Sequence, residues 1–122
     1  MKVILSIRPE YVQKIFGGTK KFEFRRSIFK NKRVTSVIVY ASAPVQRVVG
    51  EFGIGKIVCD SPESLWKMAK SVAGISHDQL MAYFDGKRRG YAIEIINPVR
   101  YEISKDLRRD FGCRPPQSFV YV

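Results

Sequence analysis

A chain of 122 residues and 14.0 kDa, 45% hydrophobic and 27% charged, has enough apolar content to fold around a core, and residues 1–122 read as one domain. The formal net charge of +11 favours a polyanionic partner such as nucleic acid. No apolar run approaches the roughly 18 residues of a membrane span and MKVILSIRPE lacks a signal-peptide layout, so a membrane partner is set aside and the cytoplasm is the expected location.

In chain order, Lys2 to Ile7 places Val3, Leu5 and Ile7 on one face and reads as a strand. Arg8-Pro9 stops it and opens a short amphipathic helix carrying Tyr11, Val12, Ile15 and Phe16, which Gly17-Gly18 ends with a left-handed cap. Lys21–Arg26 and Val34–Tyr40 read as strands two and three. Val45–Val58 follows as a long arm whose glycines at 50, 53 and 55 predict bulges. Two helices come next. Ser61 caps the first, with Pro62 at its first position and Leu65, Met68, Ala69 and Val72 as its apolar stripe. Ser76 and Gln79 form a capping-box pair for the second, whose Leu80, Met81 and Phe84 face inward. Arg89–Val99 returns to strand, Lys105–Phe111 is a helical turn, and the apolar end Phe119–Val122 is expected to pair with another strand.

The two cysteines, Cys59 and Cys113, form no C-x-x-C pair and have only His77 for company. No metal site, cofactor or disulfide framework is expected, and both read as buried intracellular thiols. The helix pair has the lengths of a helix-turn-helix. Its second helix, however, carries no Lys or Arg, so it is a poor reader of DNA.

The chemistry concentrates in Gly17–Arg33, which holds seven of the 22 basic residues around one acid, Glu23. Strand alternation sets Phe22 and Phe24 on one face and Lys21, Glu23 and Arg25 on the other, an exposed or half-buried surface that Lys20 could also reach. The ordinary reading of such a row is a solvated ladder of weak ion pairs.

The element order predicts a small α+β domain around a mostly antiparallel curved sheet or barrel. Gly18-Thr19-Lys20-Lys21-Phe22-Glu23-Phe24-Arg25 resembles the G-x-K-x-x-E-x-R signature of the ASCH domain family, whose fold is a PUA-like β-barrel. The flanks agree: Leu5-Ser6-Ile7-Arg8-Pro9, Tyr40-Ala41-Ser42-Ala43-Pro44 and Val48-Val49-Gly50-Glu51-Phe52 resemble family segments in order, and Pro115-Pro116-Gln117-Ser118-Phe119 resembles the closing strand of an archaeal and bacterial subgroup.

The resemblance implies a cleft beside the barrel for RNA or a modified nucleoside, lined by Ser6, Arg8, Lys20, Glu23, Arg25, Ser42, Gln117 and Ser118. Tyr11 and Tyr40 are further candidates for base stacking. The rival implication is a hydrolase. One branch of the family cleaves the amide of an acetylated cytidine with a motif lysine and a threonine nucleophile, and Glu23 stands here where that threonine would be. Other members are ribonucleases, for which Lys20 and Glu23 are the acid–base candidates.

Overall fold

Alternation along β1 (Lys2–Ile7) sends Val3, Leu5 and Ile7 into the main core and Ile4 into a smaller core on the opposite face, so β1 is buried on both sides. A strand covered on both faces belongs inside a sheet. In the computed structural model, which describes residues 1–122, β1 pairs in parallel with β3 (Ser36–Ala41) and antiparallel with β6 (Phe119–Tyr121). The parallel pairing requires a crossover. Residues 8–35 supply it, with α1 (Pro9–Gly17) and β2 (Phe22–Arg25). α1 closes on Gly18 at φ 87°, with Val12 and Ile15 against the sheet.

From β3 the chain turns antiparallel into β4 (Arg47–Asp60), passes through α2 (Pro62–Ala69) and α3 (His77–Tyr83), and returns as β5 (Gly90–Lys105). A last short helix, α4 (Leu107–Phe111), leads to β6. The result is one six-stranded mixed sheet in the order β2-β5-β4-β3-β1-β6, curled into a half-barrel. The expected bulges occur at the glycine-bearing stretch of β4, where register shifts fall between Val48 and Gly50, Glu51 and Gly53, and Ile54 and Ile57. Gly50 is required by close approach: a Cβ there would stand 2.5 Å from both Phe16 Cζ and the Val99 carbonyl oxygen.

The helix hairpin has its own core, in which Leu65, Ala69, Ala73, Leu80 and Phe84 pack on Phe22 and Phe24 of β2 and Ala92 of β5. Both expected caps form, with Ser61 accepting from the Ser64 amide and Ser76 exchanging hydrogen bonds with Gln79.

Three expectations need correction. β5 continues past Val99 to Lys105. Its second half is largely exposed, so no apolar alternation marks it in the sequence. Tyr40 is buried in the small core with Ile4, Val48 and Leu107, and stacks nothing external. Cys59 is exposed and Cys113 half-buried, where both had been expected inside.

The sheet has two edges, β2 and β6, and its curl brings them together. Arg25, the last residue of β2, donates from Nη2 to the carbonyl of Ser118 at 2.9 Å, just before β6 begins. The Ser27 and Ser118 hydroxyls lie 3.2 Å apart. Tyr121 of β6 accepts at its hydroxyl from the amides of Lys30 and Asn31, both at 3.2 Å. Side chains thus close a seam that backbone pairing leaves open.

Candidate functional site

Beside this seam lies a cavity of about 490 Å³, walled by the end of β1, the start of α1, β2 and α3. Ser6, Arg8, Tyr11, Lys20, Glu23 and Arg25 line it from the first three elements; Ile75, Gln79, Leu80, Ala82 and Tyr83 line it from the helix hairpin. Two of these side chains are ionisable and almost fully buried: Lys20 is 2% exposed and Glu23 5%. This overturns the reading of the motif strand as a solvated or half-buried ladder. Lys21, at the strand's mouth, is the exposed member.

Lys20 enters the cavity because the chain leaves α1 through Gly18 and runs between β5 and the hairpin. The Lys21 amide donates to the Val72 carbonyl at 2.8 Å, which holds the preceding residue against the 72–74 turn. Lys20 Nζ donates to the Ala73 carbonyl at 2.7 Å and lies 4.8 Å from the ring centre of Phe24 and 5.1 Å from that of Tyr11. Its stem lies flat on Gly74, whose φ of 67° and missing side chain are both needed. A Cβ there would come within 2.7 to 2.9 Å of the Lys20 Cβ, Cγ and Cδ. Burial drives the Lys20 pKa down from 10.5 to about 8, against the opposing pull of Glu23 and with the help of Lys14.

Glu23 accepts from Arg25 Nη1 at 3.2 Å through Oε2, while Oε1 has no protein partner. The guanidinium is itself fixed, donating also to the Ser6 carbonyl at 3.2 Å and to Ser118. Three of its five N–H donors are therefore spent inside the protein. Arg25 closes the seam and aligns the carboxylate. Burial raises the Tyr83 pKa, with Arg25 opposing and Glu23 reinforcing that rise.

The eight residues singled out from the sequence divide accordingly. Ser6, Arg8, Lys20, Glu23 and Arg25 share the cavity. Ser6 hydroxyl donates to the Pro116 carbonyl at 2.8 Å, fixing the closing segment over it. Ser42, Gln117 and Ser118 do not line the cavity. Ser118 reaches the site only through Arg25, whose guanidinium its carbonyl accepts, and through Ser27. Ser42, in the turn after β3, donates its amide to the Ile7 carbonyl at 3.0 Å. Gln117 is exposed, in the segment that leads into β6. Gln79 and Tyr83 were missed as lining residues. They sit four apart on α3, a spacing that puts them on one face, but Gln79 had been accounted for by its capping role alone.

A family model for the ASCH domain matches residues 5–103. The chain belongs to the ASCH domain family. It is 29% identical over 126 residues to an ASCH domain-containing ribonuclease of Zymomonas mobilis, covering 99% of this chain and 84% of that one. The crystal structure of the Zymomonas ASCH protein superposes with a TM-score of 0.90 at 26% identity, over 99% of this chain and 87% of that chain. A stretch of the large ribosomal subunit protein uL22 of Ureaplasma parvum is 26% identical over 120 residues, a match to 98% of this chain but 39% of that protein. The N-terminal domain of Staphylothermus marinus McrB shares the fold alone, with a TM-score of 0.54 at 17% identity over 90% of this chain and 80% of that one. The half-barrel of this ASCH domain is the PUA-like fold. The family match ends before α4 and β6, so the strand that completes the seam lies beyond it, although the Zymomonas structure spans it.

Proposed function

We propose that this ASCH domain binds single-stranded RNA and takes one nucleotide into the cavity beside the motif strand. The observation that carries the reading is the burial of Lys20 and Glu23 in one cavity with Tyr83 on its wall. Lys20 keeps two N–H groups beyond its bond to the Ala73 carbonyl, and Glu23 Oε1, with no protein donor, is open to the cavity, so a nucleotide can bond to both. The volume of about 490 Å³ fits a nucleoside-sized ligand. Arg8, 70% exposed at its side chain, stands at the mouth where a phosphate would pass. The relative named a ribonuclease supports RNA as the polymer.

The test is a titration of wild type and Lys20→Met against labelled single-stranded RNA at two salt concentrations. The expected result is affinity that survives the higher salt in the wild type and falls at least tenfold in the variant. Binding that collapses equally with salt in both proteins reports only diffuse charge and contradicts the proposal.

A second reading is favoured by the Lys20 pKa of about 8: an amine that loses its proton near neutrality can act as a general base. The cavity holds no threonine, and Thr19 lies outside it, exposed, with its hydroxyl 3.5 Å from the Lys14 carbonyl. A nuclease built here would therefore use the RNA's own 2′-hydroxyl. Lys20 takes that proton, the 2′-oxygen attacks phosphorus, and the 5′-oxygen leaves with a proton from solvent, giving a 2′,3′-cyclic phosphate. The two readings differ in sign with pH. Binding by the ammonium weakens as pH rises above about 8, whereas cleavage by the amine accelerates through the same range.

A further inference from the structure

We infer that the base this cavity selects is guanine. The inference rests on the reading that a nucleotide enters the cavity, and it concerns which one. Glu23 is 5% exposed, and the Arg25 guanidinium, itself anchored on the Ser6 and Ser118 carbonyls, fixes its orientation through Oε2. Oε1 has no protein donor, and Oε2 keeps a free lone pair. Lys20 gives one of its three N–H groups to the Ala73 carbonyl, which leaves two for a ligand. The cavity therefore offers a two-oxygen acceptor held in one orientation, with a donor on the same lining. A ligand edge that meets it must carry two adjacent donors and an acceptor beyond them.

Among the four RNA bases only guanine has such an edge. Its N1–H and N2–H₂ lie side by side for a carboxylate, and its O6 follows for an ammonium. Adenine and cytosine place a ring-nitrogen lone pair where the second donor is needed, and uracil places carbonyls on both sides of its single N–H. Each of these sets an acceptor against a buried carboxylate, which costs far more than a missing contact. Tyr83, 38% exposed on the cavity wall, offers an aromatic face against which a purine can stack.

The experiment compares labelled oligouridylates carrying one central G, A, C, U or inosine, titrated against wild type, Glu23→Gln and Lys20→Met, with RNA integrity checked on a denaturing gel. The G-containing RNA is expected to bind on the order of ten- to a hundredfold more tightly than those with A, C or U. Inosine, which keeps N1–H and O6 but lacks the 2-amino group, is expected to fall between. Glu23→Gln should weaken the G complex selectively and compress the series. Because inosine changes only the ligand, the test holds even if the variant folds poorly. Equal affinity for all five RNAs, or inosine binding as tightly as G, overturns the guanine assignment. If that equal binding still depends on Lys20, the nucleotide-binding reading survives it; if no RNA binds in a Lys20-dependent way, both fail.

Discussion

Lys20→Met is expected to fold about as stably as the parent at pH 7 while losing RNA affinity, and to erase one identifiable component of the parent's pH dependence. Burial lowers the Lys20 pKa from 10.5 to about 8, a cost of about 3 kcal/mol to the folded state at neutral pH. Methionine keeps the stem that lies on Gly74 and removes that cost. It also deprives the Ala73 carbonyl of its 2.7 Å donor, which costs about 1–3 kcal/mol. The two terms nearly offset.

The pH dependence separates them. Below about pH 8 the lysine is protonated in folded and unfolded chains alike, and the full cost stands. Between about 8 and 10.5 the unfolded chain still holds the proton that the folded one has released, so parental stability rises with pH relative to the variant. Urea melts of both proteins from pH 7 to 10.5 should show their difference shifting by about 3 kcal/mol in favour of the parent. Parallel curves would mean that Lys20 is not desolvated in solution.

The second large effect belongs to Arg25. Its side chain is 12% exposed, its carboxylate partner 7%, and its other bonds join β1 to the segment leading into β6. Arg25→Met strands a buried carboxylate and two carbonyls, and should cost about 3–5 kcal/mol. Adding Glu23→Gln removes the orphaned charge and should recover part of that loss, a coupling that a double-mutant cycle by denaturant melts measures directly. Additive effects would contradict the arrangement. Seam opening should also appear as faster amide exchange at β6, whose backbone pairs only with β1.

The fold was legible where burial is regular. Paired apolar faces gave β1, β3 and the helix hairpin, and glycines marked the bulges of β4. The exposed half of β5 has no such pattern and went unseen. At the site, strand alternation grouped Glu23 and Arg25 with Lys21, and Lys20 was added only because the turning chain could bring it round; alternation says nothing about what covers a face. There are two covers. The helix hairpin, some fifty residues away, lies over Lys20 and the Phe22–Phe24 face, with Lys20 on the Ala73 carbonyl and Arg26 on the carbonyls of Tyr83 and Asp85 at 2.8 and 2.9 Å. On the other face the Ser6 and Ser118 carbonyls hold Arg25. These are contacts to backbone carbonyls, which any residue can supply, so no sequence pattern announces them. The same covering turns a surface ladder into a buried acceptor–donor pair. It also brings Tyr83 into the site without any local signature.

The central claim is that a nucleotide occupies the space between Lys20, Glu23 and Tyr83. The most direct measurement is a crystal structure of the protein with a short G-containing single-stranded RNA. The account predicts one base inside the cavity, with Lys20 Nζ and the Glu23 carboxylate within hydrogen-bond distance of its edge. RNA held only across the outer basic surface, with the cavity holding solvent alone, would contradict it.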